Sequence, residues 1–163
     1  MYKNAWLRFE AHDMVHPNGV PGEHGVVVTP VASAVVVLDG DDVILTRQSR
    51  YAIDRRTLEI VKGGSHDGEL PLASAQREVR EEIGYLAAEW TPIGAGFEIP
   101  SIVQEPVWLY VARELTPVPV AFEEVESIEA VRMPFAAALA AVHDGTISDA
   151  ITALALMRAA LLR

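Results

Sequence analysis

Hydrophobic positions recur along this chain at two different periods. Residues 32–38, ASAVVVL, are apolar almost without interruption, and residues 42–46, DVILT, follow closely. Short apolar runs bounded by turn signals predict two buried strands, Ala32–Leu38 and Asp42–Thr46, with Gly40-Asp41 as the hairpin turn between them. Trp6–Phe9 and Gly25–Thr29 predict a small hairpin within residues 1–30, with turn signals at Pro17-Asn18-Gly19 and Pro21-Gly22. Further strands are expected within Leu86–Gly94, at Val107–Ala112 and at Ile128–Met133. The period changes at Leu72, Ala75, Val79 and Ile83, whose helical spacing predicts an amphipathic helix stopped by Gly84. Pro134 suits the first turn of a helix that continues through Phe135–Val142 and ends at His143-Asp144-Gly145. Ser148 is the expected N-cap of a last helix, Asp149–Leu162, with Arg158 and Arg163 favouring its C-terminal end. That helix is apolar on nearly every side, which predicts a place in the core or at a subunit contact.

Length and charge narrow the picture. The chain has 163 residues, half of them hydrophobic and 22% charged, which predicts one globular domain over residues 1–163. The formal net charge of −10 argues against long nucleic acids as partners, since their affinity rests on Lys and Arg contacts to phosphate. Cysteine is absent, so disulfides, thiolate metal sites and thiol nucleophiles are excluded. No apolar run is long enough to span a bilayer and no signal-peptide core is evident, so no membrane partner and a cytoplasmic location are expected. His12, His16, His24 and His66 lack ligand spacing and read as loop histidines.

The chemistry concentrates between Gly63 and Tyr85, in GGSHDGELPLASAQREVREEIGY. On the expected helix, Glu78 and Glu82 lie one above the other with Glu81 beside them, at the edge of the apolar stripe. Each like-charge pair costs roughly a few tenths of a kcal/mol in an isolated helix. Arg77 can pair with Glu81 at i,i+4. Two explanations fit the carboxylate row: a solvated acidic face, or a site for a hard divalent cation, which takes oxygen ligands and substrate phosphates.

The full pattern adds a resemblance. Gly63, five residues, Glu69, seven residues and then Arg77-Glu78-Val79-Arg80-Glu81-Glu82-Ile83-Gly84 resembles the Nudix box over residues 63–85. All seven fixed residues match, against a chance on the order of one in a hundred million per starting position. Tyr85 stands where the pattern prefers a bulky aliphatic residue. Arg47-Gln48-Ser49-Arg50-Tyr51 and Leu58-Glu59-Ile60 further resemble the ADP-ribose pyrophosphatase branch, as does the Asp13–Gly19 segment. Val61-Lys62 departs from the proline-alanine usual there. A lysine at that place is also seen in relatives acting on dinucleoside polyphosphates and other ADP compounds. Pro100-Ser101 stands where that branch has proline-glycine.

The resemblance implies an α/β (α+β) Nudix fold, a mixed sheet between helices. It also implies metal-dependent hydrolysis of a nucleoside diphosphate linked to another group. Carried over by position, Glu78 and Glu82 are the metal ligands, Glu81 assists, and the Lys62 carbonyl completes the set, with Mg²⁺ or alternatively Mn²⁺ as the ion. Glu105 is the candidate general base and Glu81 the alternative. Gly63, Glu69, Arg77 and Gly84 are structural, with Glu69 and Arg77 orienting the helix.

Residues 47–64 carry five basic side chains, and read either as a solvated loop or as an anionic-substrate rim. Arg47, Arg50, Arg56 and Glu59 are the candidates for holding substrate. The acidic run 114–129 reads as a loop entering the strand at Ile128, with Glu123, Glu124 and Glu126 in reserve. The expected substrate is a small ADP-sugar such as ADP-ribose, giving AMP and a sugar phosphate. Dinucleoside polyphosphates and NADH-type compounds are the alternatives, and a non-catalytic nucleotide sensor is the alternative of another class. Relatives of this branch are often dimers, so a homodimer is expected.

Overall fold

A computed structural model describes residues 1–119 and 128–162. In chain order the strands and helices are β1 (Tyr2–Lys3), β2 (Arg8–Val15), β3 (Pro21–Val28), β4 (Ala32–Asp39), β5 (Asp42–Arg50), β6 (Arg55–Glu59), β7 (Val61–Gly64), α1 (Pro71–Ile83), β8 (Tyr85–Gly96), β9 (Val107–Pro117), β10 (Glu129–Pro134), α2 (Phe135–His143) and α3 (Ala150–Ala160). Among the described residues, β1–β3 form one antiparallel sheet. The other strands form a mixed sheet in the order β10-β5-β4-β9-β8, with β6 paired to β5 and β7 to β4. Its central pair, β4 and β9, is parallel.

Strand alternation builds two cores from one sheet. Ala34, Val36 and Leu38 of β4, with Leu109 and Val111 of β9, face α2 and α3. Val35 and Val37, with Tyr110 and Ala112, face α1. Covered on both faces, β4 reads as a continuous apolar run, as a central strand of such a sheet must. Each fully buried Val or Leu there stabilises the fold by roughly 1.5–3 kcal/mol. The last helix belongs to the core, burying Ile151, Thr152, Ala155, Leu156 and Ala159.

α1 opens with Pro71 at its first position, where no N–H is required. It closes at Gly84, whose φ of 70° lets its N–H reach the Arg80 and Val79 carbonyls. The expected apolar stripe is corrected at one end. Leu72 is 38% exposed, whereas Ser74 and Ala75 are fully buried. Ser33 on β4 donates to the Pro71 carbonyl at 2.6 Å. That bond draws the first turn close to the sheet, where small side chains fit and a leucine does not.

Several boundaries also differ from expectation. The N-terminal hairpin is longer than predicted, and Pro21-Gly22 lies inside β3 instead of forming a turn. β3 is an edge strand and Pro21 is its first residue, a place where a missing N–H costs no ladder bond. Residues 47–64 are strand and not loop. β5 runs on to Arg50, turns through a single 3₁₀ turn at Tyr51–Ile53, and returns as β6 in register Arg50↔Arg55 to Thr46↔Glu59. Charged side chains at the sheet margin hid this strand from an apolar pattern. β9 likewise extends to Pro117, inside a segment read as loop. Asp149, not Ser148, caps the last helix, accepting from the Thr152 N–H. Glu123, Glu124, Glu126 and Arg163 lie outside the described residues.

Candidate active site

The loop from Gly64 to Leu70 and the helix α1 are held together by Arg77. Its Nε and Nη2 donate to the two carboxylate oxygens of Glu69, both at 3.0 Å. Nη1 donates to Glu78 at 2.7 Å and to Glu81 at 2.9 Å. Nη2 also reaches the Gly64 carbonyl at 2.8 Å. Glu69 accepts in addition from the His66 N–H at 2.9 Å. Hydrogen bonds from Arg77 therefore hold the Glu69 carboxyl below its ordinary range. One guanidinium ties the loop to the helix and neutralises part of the carboxylate row. Sequence spacing offered Arg77 only to Glu81, and the family resemblance added Glu69.

Alternation along β7 turns Gly63 toward α1. A Cβ there would fall on the Glu78 carboxyl group. Glu82, one turn further along α1, is 6% exposed. Its carboxylate thus lies in the cleft between helix and sheet, and Glu81 lies further out.

A cavity of about 1030 Å³ opens in front of these groups. Its wall includes Glu78, Glu81 and Glu82 from α1, Glu105 and Glu98 from the 97–106 segment, Arg50 and Glu59 from the β5–β6 ribbon, and Lys62. Glu59 is 2% exposed and accepts two bonds from Arg50, at 2.8 and 2.6 Å, and one from Thr57 at 2.6 Å. Burial alone would raise its pKa. The Arg50 and Thr57 bonds and the Lys62 charge outweigh burial and hold it below the ordinary value. Burial likewise opposes the charge on Lys62, but Asp149, Glu98 and Glu59 keep its ammonium protonated above the ordinary lysine range.

Arg47 and Arg56 are placed elsewhere. Both pair with Glu129 of β10, at 3.5 and 3.1 Å, and neither lines the cavity. The reason is the two-residue strand period. Arg50, Thr57 and Glu59 share one face of the ribbon, and Arg47 and Arg56 point to the other. Sequence reasoning assigned neither Glu98 nor Asp149 nor the Lys62 ammonium to the site. It also left out Trp6, which lines the same cavity while 74% exposed. For Glu98 the loop acids were a signal. For Trp6 there was none.

Acidic side chains outnumber the permanent cations Arg50, Lys62 and Arg77 along the wall, and each of those cations is already ion-paired within the chain. A polyphosphate entering such a cavity meets net negative charge unless cations accompany it. The donor set suits a hard cation: oxygen donors only, with room for the Glu78 carboxylate guaranteed by the missing Cβ at Gly63. Among the described residues no three His, Cys, Asp or Glu side chains gather closely enough to hold an ion by themselves. Mg²⁺ characteristically takes one or two carboxylates and completes its shell with water and substrate phosphates, so the residues present fit such an ion.

Comparison with known proteins agrees with this architecture. Residues 28–153 match the family model described as NUDIX domain. The chain is 34% identical over 147 residues to an ADP-ribose pyrophosphatase of Bacillus subtilis (strain 168), covering 88% of this chain and 80% of that protein. It is 28% identical to the ADP compounds hydrolase NudE of Escherichia coli (strain K12), covering 91% and 82%. It is 26% identical to a methanol dehydrogenase activator of Bacillus methanolicus, again covering 91% and 82%. Among solved structures, an ADP compounds hydrolase superposes with a TM-score of 0.87 at 25% identity, covering 99% of this chain and 89% of that one. The chain belongs to the Nudix family, and it is a Nudix hydrolase. Enzymes of this family generally use divalent metal cations. Among the described residues no helix is long and apolar enough to cross a membrane.

Proposed function

We propose that this enzyme hydrolyses ADP-ribose or a related ADP-sugar to AMP and a sugar phosphate, with Mg²⁺ as its ion and Mn²⁺ as a substitute. The observation that carries the reading is that the α1 carboxylates, the Arg50–Glu59 pair and Glu105 line one cavity. The 34% identity to an ADP-ribose pyrophosphatase supports the substrate class.

Water adds to one phosphorus of the diphosphate, the bridging P–O bond breaks, and the departing phosphate leaves as an anion. Glu78 and Glu82 are the residues to hold the ions, with Glu81 assisting and the Lys62 carbonyl completing the set. Bound divalent cations supply Lewis acidity toward the phosphates and a template for the attacking water. Glu105 takes the proton of that water on a carboxylate oxygen, and Glu81 is the alternative base. Glu69 and Arg77 keep the helix and its loop in register. Arg50, paired with Glu59 on the cavity wall, is the candidate to hold the nucleotide end.

A second substrate reading, a dinucleoside polyphosphate or an NADH-type compound, is favoured by Lys62 standing where alanine is usual and by the likeness to ADP compounds hydrolases. A homodimer is supported by the exposed apolar residues of the N-terminal sheet, Tyr2, Phe9 and Val15. A soluble nucleotide substrate fits a cytoplasmic location.

Product analysis with Mg²⁺ on ADP-ribose, NADH, a diadenosine polyphosphate, CDP-choline and a nucleoside triphosphate tests the proposal. AMP and ribose phosphate at the best kcat/KM of the panel is the expected result. Preference for the diadenosine compound keeps the chemistry and overturns the substrate. No turnover with intact cation binding overturns catalysis in favour of nucleotide sensing.

A further inference from the structure

Lys62 sits on β7 between two residues that face α1. Alternation therefore turns its side chain the other way, toward α3. There the ammonium meets carboxylates from three separate parts of the chain. Glu98 Oε1 lies at 2.9 Å, Asp149 Oδ2 at 3.3 Å and Glu59 Oε2 at 3.7 Å. The lysine side chain is only 14% exposed, so water competes weakly for these contacts.

Two of the three carboxylates are held by other groups as well. Glu59 has Arg50 and Thr57. Asp149 caps α3 through its other oxygen, accepting from the N–H and the hydroxyl of Thr152 at 2.7 and 2.6 Å. Glu98 differs: among the described residues, Lys62 is its charged partner.

Glu98 is the second residue of the segment 97–106, which puts Ile99, Val103 and Glu105 on the cavity wall. The outer side of that segment is fastened to β3. Val27 N–H donates to the Ile102 carbonyl at 2.7 Å, and Gln104 N–H donates to the Val27 carbonyl at 3.1 Å. His24 meets the Ser101 carbonyl at 2.9 Å. The Lys62–Glu98 pair is the matching attachment on the inner side.

We propose that Lys62 is a positioning residue that, through Glu98, fastens the 97–106 segment to the cavity floor and so sets where Glu105 stands relative to the α1 carboxylates. The inference rests on the reading of Glu105 as the group that works on the attacking water. A charged side chain is needed because a neutral one of the same length would reach the segment without holding it. Alanine, usual at this place in the resembling branch, has neither reach nor charge.

The test uses Lys62→Met, Glu98→Gln and the double variant in the full chain, with amide hydrogen exchange measured beside steady-state kinetics. Glu98 is half-exposed, so its variant retains the fold even where Lys62→Met weakens it. Each single variant is expected to lower kcat by about 10- to 100-fold, the scale of a misplaced reacting group, and to leave KM within about threefold. The double variant is expected to be no worse than either single one, because both remove the same contact. Lys62→Arg should recover part of kcat. Amides of 97–106 should exchange faster in both single variants while those of β4 and β9 do not.

A raised KM with unchanged kcat would instead make Lys62 a ligand of the substrate phosphates and overturn the proposal. Additive losses, or unchanged exchange in 97–106, would do the same. Exchange is read without substrate. It therefore decides the fastening even if the wild-type enzyme ignores ADP-ribose, an outcome that would count against the substrate reading alone.

Discussion

Gly63 and Glu78 share one volume: a Cβ on residue 63 would occupy the place of the Glu78 carboxyl group. The glycine is thus required for the space it leaves, since its φ is not among the positive ones. Gly63→Ala should push Glu78 aside against its bond to Arg77. A loss of at least about 100-fold in kcat/KM is expected, with little loss of stability, since the atoms displaced are the far end of a flexible side chain. Steady-state kinetics beside urea unfolding measures both. Wild-type activity in this variant would remove Glu78 from the site.

Glu82 is buried against the sheet and belongs to the proposed ion site. Glu82→Gln keeps its size and removes its charge. Turnover should fall by about 100- to 1000-fold, the scale of losing one preorganised electrostatic group. The far-UV circular dichroism should not change. Mg²⁺ should raise the melting temperature of the wild-type protein, because a ligand that binds only the folded state stabilises it. Chelation should reverse that rise and stop turnover. In Glu82→Gln the rise should be largely absent.

Acid should unfold this protein through its arginine-paired carboxylates. Hydrogen bonds from Arg77 hold Glu69 below its ordinary value of 4.5. A carboxyl depressed in the folded state contributes stability above its unfolded pKa and loses it as pH falls through the folded pKa. The urea midpoint should therefore be flat from neutrality down to about pH 4.5 on account of this group, and fall below that. Glu69→Gln should lower the midpoint at pH 7 and flatten the decline in acid. An unchanged slope would show that Arg77 gives Glu69 no stability.

The two faces of the β5–β6 ribbon should differ in function. Arg50 lies on the cavity side, bonded twice to buried Glu59. Arg56 lies on the other face in an exposed pair with Glu129. Arg50→Ala should leave Glu59 short of its main partner and raise KM, and destabilise the fold by about 1–3 kcal/mol, since Thr57 and Lys62 still face that carboxylate. Arg56→Ala should change stability by less than about 1 kcal/mol and leave kcat/KM near wild type. Melting curves and kinetics on the pair check this, and an equal effect on KM would return Arg56 to the list of substrate groups.

Local chemistry was legible wherever a single element carried it. The α1 helix, its Gly84 stop and its row of glutamates follow from spacing within one helix. The buried strands β4 and β9 follow from unbroken apolar runs. Leu72 was misread because burial on a helix depends on how closely its first turn approaches the sheet. Residues 47–64 were misread because a strand at a sheet margin carries charges on both faces. Its pairing partner, across a 3₁₀ turn with Arg50 opposite Arg55 and Thr46 opposite Glu59, leaves no apolar trace.

By itself, the chain sequence determined the family, the carboxylate helix and the two apolar strands, since each depends on residues close in sequence or on a fixed spacing. Tertiary structure alone decided which charges face one another. Arg77 became the hub of a four-residue network, Arg50 turned inward while Arg47 and Arg56 turned outward, and Lys62 met carboxylates 36 and 87 residues away. Those choices follow from strand alternation and from which segments the sheet brings side by side. Neither can be read from a one-dimensional pattern, because an ion pair has no periodicity and reaches only a few ångströms.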